Sequence, residues 1–307
     1  MLVLALVLLA ASPNPQRLVT GTGLRVRAAP DANAAIVEKI ALGSVLACME
    51  ESKPVTVGGA TASFCKMERG WYFTALTEPV ESDATAQLDR LIDKRAGELG
   101  EGVAEDKRPD VYQVHTLMLR RIEERKGVEK LRARLAELAF VAKHADAFHK
   151  DPRVVGDDSQ GPRVKNEAFE KLVKEAKGTA VHEDAAFALY QHGMGGECEG
   201  YAPCVYVRAL RTACTFLAAF PEGERAQLAV MDIIETVESQ TQLEATGNPA
   251  DPSPSTATLG PSAEAREARK EASTALVKLR RCVEDTKTEG KQRALDVIDA
   301  AIARSSK

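Results

Sequence analysis

The chain has 307 residues, 44% of them hydrophobic, and its 41 basic and 45 acidic residues leave a formal net charge of -4. The two signs are interspersed, so no sustained positive field is offered to nucleic acid or to an anionic membrane, and neither is an expected partner. The length exceeds what one compact core usually holds, which points to two domains.

The first element is an apolar run over residues 2–11. Its length suits the core of a secretory signal but falls well short of the roughly 20 residues that span a bilayer as a helix. Residues 1–16 are therefore expected to be a cleaved signal peptide, with no stable membrane span. Ser12 is the natural cut, and Pro13 follows it. No cysteine follows the run to take a lipid anchor, so a periplasmic or secreted protein is expected.

Residues 17–80 show short apolar clusters: Val19, Leu24 and Val26, then Ile36, Val37 and Ile40, then Val45 and Leu46. Turn residues Gly21, Gly23, Pro30-Asp31 and Gly43-Ser44 separate them, at the spacing of short strands in a small closed sheet. The loop from Lys53-Pro54 to Gly58-Gly59 is expected to join two further strands, the second over 62–67, and Gly70-Trp71-Tyr72-Phe73 makes the last.

Three segments here are specific. They are Leu24-Arg25-Val26-Arg27-Ala28-Ala29-Pro30, Val37-Glu38-Lys39-Ile40-Ala41-Leu42-Gly43-Ser44-Val45, and Gly70-Trp71-Tyr72-Phe73-Thr74-Ala75-Leu76. In order and spacing this region resembles the bacterial SH3-like (SH3b) domain. It departs from that pattern at Phe64-Cys65-Lys66-Met67, where the family often has a tryptophan, and at Ala29, where a glycine is common before the proline. The resemblance implies a small β-barrel and a non-catalytic module that binds cell-wall material or peptides. Trp71, the only tryptophan, and Tyr72 are the candidate ligand-binding residues, as an aromatic platform for a sugar or peptide. Side chains alternate along a strand, so the two face opposite ways and one of them belongs to the core.

Six cysteines in an exported chain read first as disulfides. Cys48 and Cys65 flank one loop of the barrel, and a bridge there contributes on the order of 3 kcal/mol. Cys204 and Cys214 fall on one expected helix, about 15 Å apart along its axis and beyond bridging reach. The preferred pairing is Cys198 with Cys204 and Cys214 with Cys282, the alternative being Cys198 with Cys214 and Cys204 with Cys282.

From residue 81 the periodicity becomes helical. Val111, Val114, Leu117-Met118 and Ile122 recur at three and four, as do Val128, Leu131, Leu135, Leu138, Ala142, Ala145 and Phe148. Similar stripes continue to Ile302, for roughly nine helices over 81–307. The expected fold class is thus β + α: a small barrel, then an all-α bundle or an array of helical hairpins. The turn Phe220-Pro221-Glu222-Gly223 before Ala226 resembles the boundary of tetratricopeptide-type repeats, but no 34-residue period runs along the chain. Residues 151–161 read as an irregular turn and 247–262 as a disordered loop.

The chemistry-bearing residues do not assemble an enzyme. Glu197-Cys198-Glu199-Gly200 resembles the cysteine segment of wall-cutting peptidases, whose activating histidine follows the cysteine. Here the last histidine, His192, precedes it. There is no Gly-x-Ser-x-Gly elbow, His-Glu-x-x-His helix or phosphate-cradling loop. His182, His192, Cys198 and Cys204 could be imagined around zinc, but their spacing is not that of a structural zinc site. No catalytic residue, metal or cofactor is expected. The sequence supports an exported binding protein whose barrel recognises peptidoglycan or an envelope protein, beside a disulfide-stapled helical scaffold. An envelope hydrolase with an unrecognised helical catalytic domain and a structural assembly component are the alternatives.

Overall fold

A computed structural model describes residues 14–100, 108–156, 161–192, 198, 201–246 and 263–305. The apolar run at 2–11, Asp157-Asp158, Glu197, Glu199 and the 247–262 loop lie outside the described residues. The chain divides into two compact units between Phe148 and His149.

The first unit opens with short strands: β1 (Gln16–Val19), β2 (Arg25–Arg27), β3 (Ile36–Lys39), β4 (Val45–Ala47), β5 (Glu50–Glu51), β6 (Val55–Val57), β7 (Ala60–Ala62), β8 (Phe64–Met67), β9 (Gly70–Phe73) and β10 (Thr77–Pro79). They pair antiparallel in three sheets, ordered β10-β1-β4, β3-β2-β9-β8-β5 and β6-β7. Pairing among the described strands traces no closed barrel. The two larger sheets nevertheless share one core, in which Val19 and Leu46 meet Leu24, Cys48, Cys65 and Tyr72.

Two boundaries differ from the sequence expectation. Gln16 is already in register with Ala47, and the Cys48 amide donates to the Pro15 carbonyl at 2.7 Å. Gln16 thus opens β1 one residue before the expected start of the barrel at 17. The stretch from Val55 to Ala62 is a hairpin, not a plain loop. Gly58 and Gly59 form its two-residue turn with φ of +60° and +86°, the positive-φ pair that lets a tight turn match strand twist.

Three helices complete this unit: α1 (Ala84–Glu98), α2 (Arg108–Glu124) and α3 (Gly127–Lys143). Asp83 caps α1 by accepting from the Thr85 amide at 2.8 Å, and the backbone donors of Thr85 and Ala86 hold its carboxyl below the usual range. The buried stripe of α1, Leu88 and Ile92, and that of α2, Val111, Val114 and Leu117, repeat at helical spacing. These helices seat against the sheets. A Cβ added at Gly43, in the turn before β4, would lie 3.0 Å from Leu117 Cδ2 and 3.4 Å from Leu88 Cδ1. Arg95 of α1 donates to the Thr20 carbonyl and to Gln113 Oε1, fastening α1 to both β1's end and α2.

The second unit is helical apart from one hairpin, β11 (Val154–Val155) with β12 (Arg163–Val164), where the sequence reading has only an irregular turn. Its helices are α4 (Asn166–Ala176), α5 (His182–His192), α6 (Ala202–Arg211), α7 (Ala213–Ala219), α8 (Ala226–Thr246), α9 (Ala263–Glu284) and α10 (Lys291–Ser305). Phe187, Tyr206, Phe216, Leu217, Ile233, Leu276, Leu279 and Ile298 form one core to which α5 through α10 all contribute. Among the described residues, no helix is long and apolar enough to cross a membrane.

Three disulfides join Cys48 to Cys65, Cys198 to Cys204 and Cys214 to Cys282, with Cα separations of 5.5, 5.5 and 5.6 Å. The preferred pairing of the sequence reading is the one present. Its supporting premise needs correction, because Cys204 and Cys214 do not share a continuous helix. Thr212, with φ of -116° and ψ of -77°, breaks α6 from α7. The break turns Cys214 to α9, and the bridge staples α7 to that helix.

Candidate functional site

The five-stranded sheet has one face in the core and another that is exposed at its Lys66 end and covered at Phe64. Val26, Tyr72 and Cys65 stand side by side across β2, β9 and β8, each fully buried. Alternation then sends their strand neighbours to the opposite face. That outer face carries a register row across the five strands, Ile36, Arg27, Trp71, Lys66 and Glu50, with a bulge at its β2–β3 step.

Trp71 is the centre of this row and is half-buried. Lys66, its partner on β8, places Nζ 5.6 Å from the indole centroid and pairs with Glu50 Oε2 at 3.4 Å. Arg27, its partner on β2, donates from Nη1 to the Ala34 carbonyl at 2.7 Å, which anchors the guanidinium to the β2–β3 connection. Beyond the same end of β9, Phe64 and Phe73 pair with ring centroids 5.2 Å apart.

Two local features shape the face. A bulge between Val26 and Arg27 shifts the β2–β3 register by one residue and leaves Ile36 and Val37 exposed on the edge strand, at 46% and 53%. Gly70, with φ of +148°, starts β9 where a Cβ would collide with the Arg27 carbonyl, so only glycine lets β9 close against β2 at this point. The pairing of Arg27 with Trp71 depends on that approach.

Tyr72 requires a correction. It belongs to the core, with 0% exposure, and its hydroxyl makes only a long 3.5 Å contact to the Ala47 carbonyl. Burial pushes its hydroxyl pKa up to about 12. It cannot present a platform to a ligand, and the strand alternation that separates it from Trp71 is the reason. The residues that sequence reasoning did not single out are Arg27, Lys66 and Ile36. For Arg27 and Lys66 the signal was present, since each follows a buried apolar residue, Val26 or Cys65, by one position on a paired strand; Ile36 has exposed neighbours and carried no such signal.

The other chemistry-bearing residues are placed elsewhere. Cys198 and Cys204 are bonded to each other, so neither supplies a thiolate to a metal or a substrate. His182 lies edge-on to Phe220 and His192 stacks on Phe169, where burial lowers its pKa. In the first unit His115 Nε2 meets Glu137 Oε1 at 2.7 Å inside an aromatic cluster of Tyr112, Phe140, His144 and Phe148. Among the described residues, no group of three or more His, Cys, Asp or Glu side chains is arranged to hold a metal ion. In the second unit an open, largely apolar groove of about 500 Å³ runs between α6 and α9, lined by Tyr201, Val207, Leu210 and Ala275 with a charged rim that includes Glu267 and Lys278.

No protein-family model matches the chain, and comparison with curated proteins and with solved structures finds no match either.

Proposed function

We propose that this chain is an exported, non-catalytic binding protein. Its N-terminal module, read as SH3-like, recognises peptidoglycan or an envelope peptide through the outer face of the five-stranded sheet, and its helical unit acts as an interaction scaffold. The observation that carries this reading is the row Arg27, Trp71, Lys66: the one tryptophan, half-buried and in register between two cationic residues, on a sheet whose opposite face is the core. Three disulfides support an oxidising compartment, because such bridges persist outside the cytosol. Bonding of Cys198 to Cys204 weighs against the thiol-peptidase alternative. The apolar α6–α9 groove supports a scaffold role for the second unit.

Co-sedimentation of the intact protein with purified peptidoglycan, beside a Trp71→Ala form, tests the reading. Retention that is lost in the variant is the expected result. Retention that ignores Trp71 would remove this face from the proposal, and turnover of the wall would replace the binder with a hydrolase.

A further inference from the structure

We infer that the Trp71 face takes a carboxylate-bearing glycan; this rests on the reading of that face as the binding site. The outward positions around Trp71 are strongly biased in charge. Arg25 and Arg27 on β2 flank buried Val26, Lys39 stands opposite Arg25 on β3, and Lys66 lies on β8. Glu50 is the carboxylate in the same row, and at the β8–β9 turn Arg69 is already engaged with Glu38 at 3.7 Å beside Glu68. Four cations, two of them in the row itself, thus stand with two carboxylates, Glu50 in the row and Glu68 in the turn, in a chain whose overall charge is -4. The excess is local and complements an acidic ligand.

The geometry supplies both parts of such recognition. The indole offers a flat apolar surface to a sugar ring. Arg27 has five donors in a planar fork suited to a carboxylate, and its bond to the Ala34 carbonyl uses one of them while fixing the group in place. Lys66 already holds a carboxylate, that of Glu50, next to the indole. A ligand carboxylate would take the same position. Adjacent strands lie about 4.8 Å apart, so Arg27 and Lys66 stand roughly 10 Å from each other across Trp71 and the whole row spans roughly 19 Å, room for a chain and not a single sugar.

The edges argue against a peptide added as a further strand, since β5 at one edge is only two residues long and β3 at the other is bulged. The bulge opposite Arg27 breaks the regular ladder of β3, and bulges at sheet edges oppose such pairing. A ligand lying across the face, perpendicular to the strands, avoids that obstacle.

The test uses the intact protein and the fluorescence of its single tryptophan. Polygalacturonate, its fully methyl-esterified form and poly(glycerol phosphate) are titrated in turn, at low and at physiological salt. Polygalacturonate is expected to bind about tenfold or more tightly than the ester, since a hydrogen bond to a charged group contributes about 1.5–3 kcal/mol. Arg27→Gln and Lys66→Gln should each weaken it about tenfold, and salt should weaken it further. Lys66 is surface-exposed, so its variant separates lost binding from lost folding even if Arg27→Gln perturbs the Ala34 loop. Equal binding of acid and ester, no binding of either, or preference for the phosphate polymer would each overturn the inference. Peptidoglycan retention that still depends on Trp71 would then show that the binding face stands and only its ligand class was wrong.

Discussion

Cys65 and Tyr72 stand directly opposite each other on β8 and β9, both with 0% exposure, and the bridge from Cys65 to Cys48 runs through the same core. The disulfide therefore does more than close a loop. It ties the end of β4, in one sheet, to β8, in the other, beneath the strand that displays Trp71.

Replacing Cys48 and Cys65 together by Ala should lower the stability of the first unit by about 3 kcal/mol, the value expected for closing a loop of this size. Urea unfolding followed by Trp71 fluorescence measures it. An unchanged midpoint would mean that the bridge constrains nothing the sheets do not already hold.

Tyr72→Phe should leave ligand binding intact, because the ring stays in the core and only a 3.5 Å contact to the Ala47 carbonyl is lost. The stability change should stay below about 1 kcal/mol. A loss of wall retention comparable to that of Trp71→Ala would contradict the assignment of Tyr72 to packing.

Gly70→Ala should destabilise the first unit by about 1–3 kcal/mol, since the added Cβ meets the Arg27 carbonyl and Val26 Cγ1 and the backbone conformation disfavours any side chain. Binding should fall with it, because relief of the clash separates Arg27 from Trp71. Thermal melting and peptidoglycan retention read the two effects on the same sample.

His144 is buried against Phe140, and burial, with Lys143 adding to it, lowers its pKa from the model-peptide value of 6.5. The unfolded chain then binds a proton that the folded chain refuses, so stability is fully present above about pH 6.5 and declines as pH falls from there toward the folded pKa. Wild type should show a lower urea midpoint at pH 5.5 than at pH 7.5, and His144→Asn a smaller difference. Equal slopes in the two proteins would show that other groups set the acid sensitivity.

The order of element types was legible because each rests on local pattern. Alternation broken by Gly21, Gly23 and Gly43-Ser44 marks strands, and the stripe Val111, Val114, Leu117-Met118 marks a helix, whatever lies beside them. Short elements at the limits of such patterns were missed. The β6–β7 hairpin carries exposed or half-exposed residues from Val55 to Ala62, so no apolar run announces it and only the Gly58-Gly59 pair does. The break at Thr212 was missed for the converse reason, since the apolar spacing of Tyr206, Leu210, Ala213 and Leu217 carries on across it.

By itself the sequence determined a β region followed by helices, the pairing of Cys48 with Cys65 across one loop, and the placement of Trp71 and Tyr72 on opposite sides of one strand, while the pairing among the other four cysteines was left to the fold. Those follow from chain periodicity and from the short reach of a disulfide. Tertiary structure decided which side is inside. Tyr72 is buried because it shares a register row with Val26 and Cys65, and Trp71 faces outward between Arg27 and Lys66 because those residues neighbour the same buried row. Pairing between strands distant in sequence sets that row. No local pattern states which residues will stand opposite one another, and so the site is a property of the register.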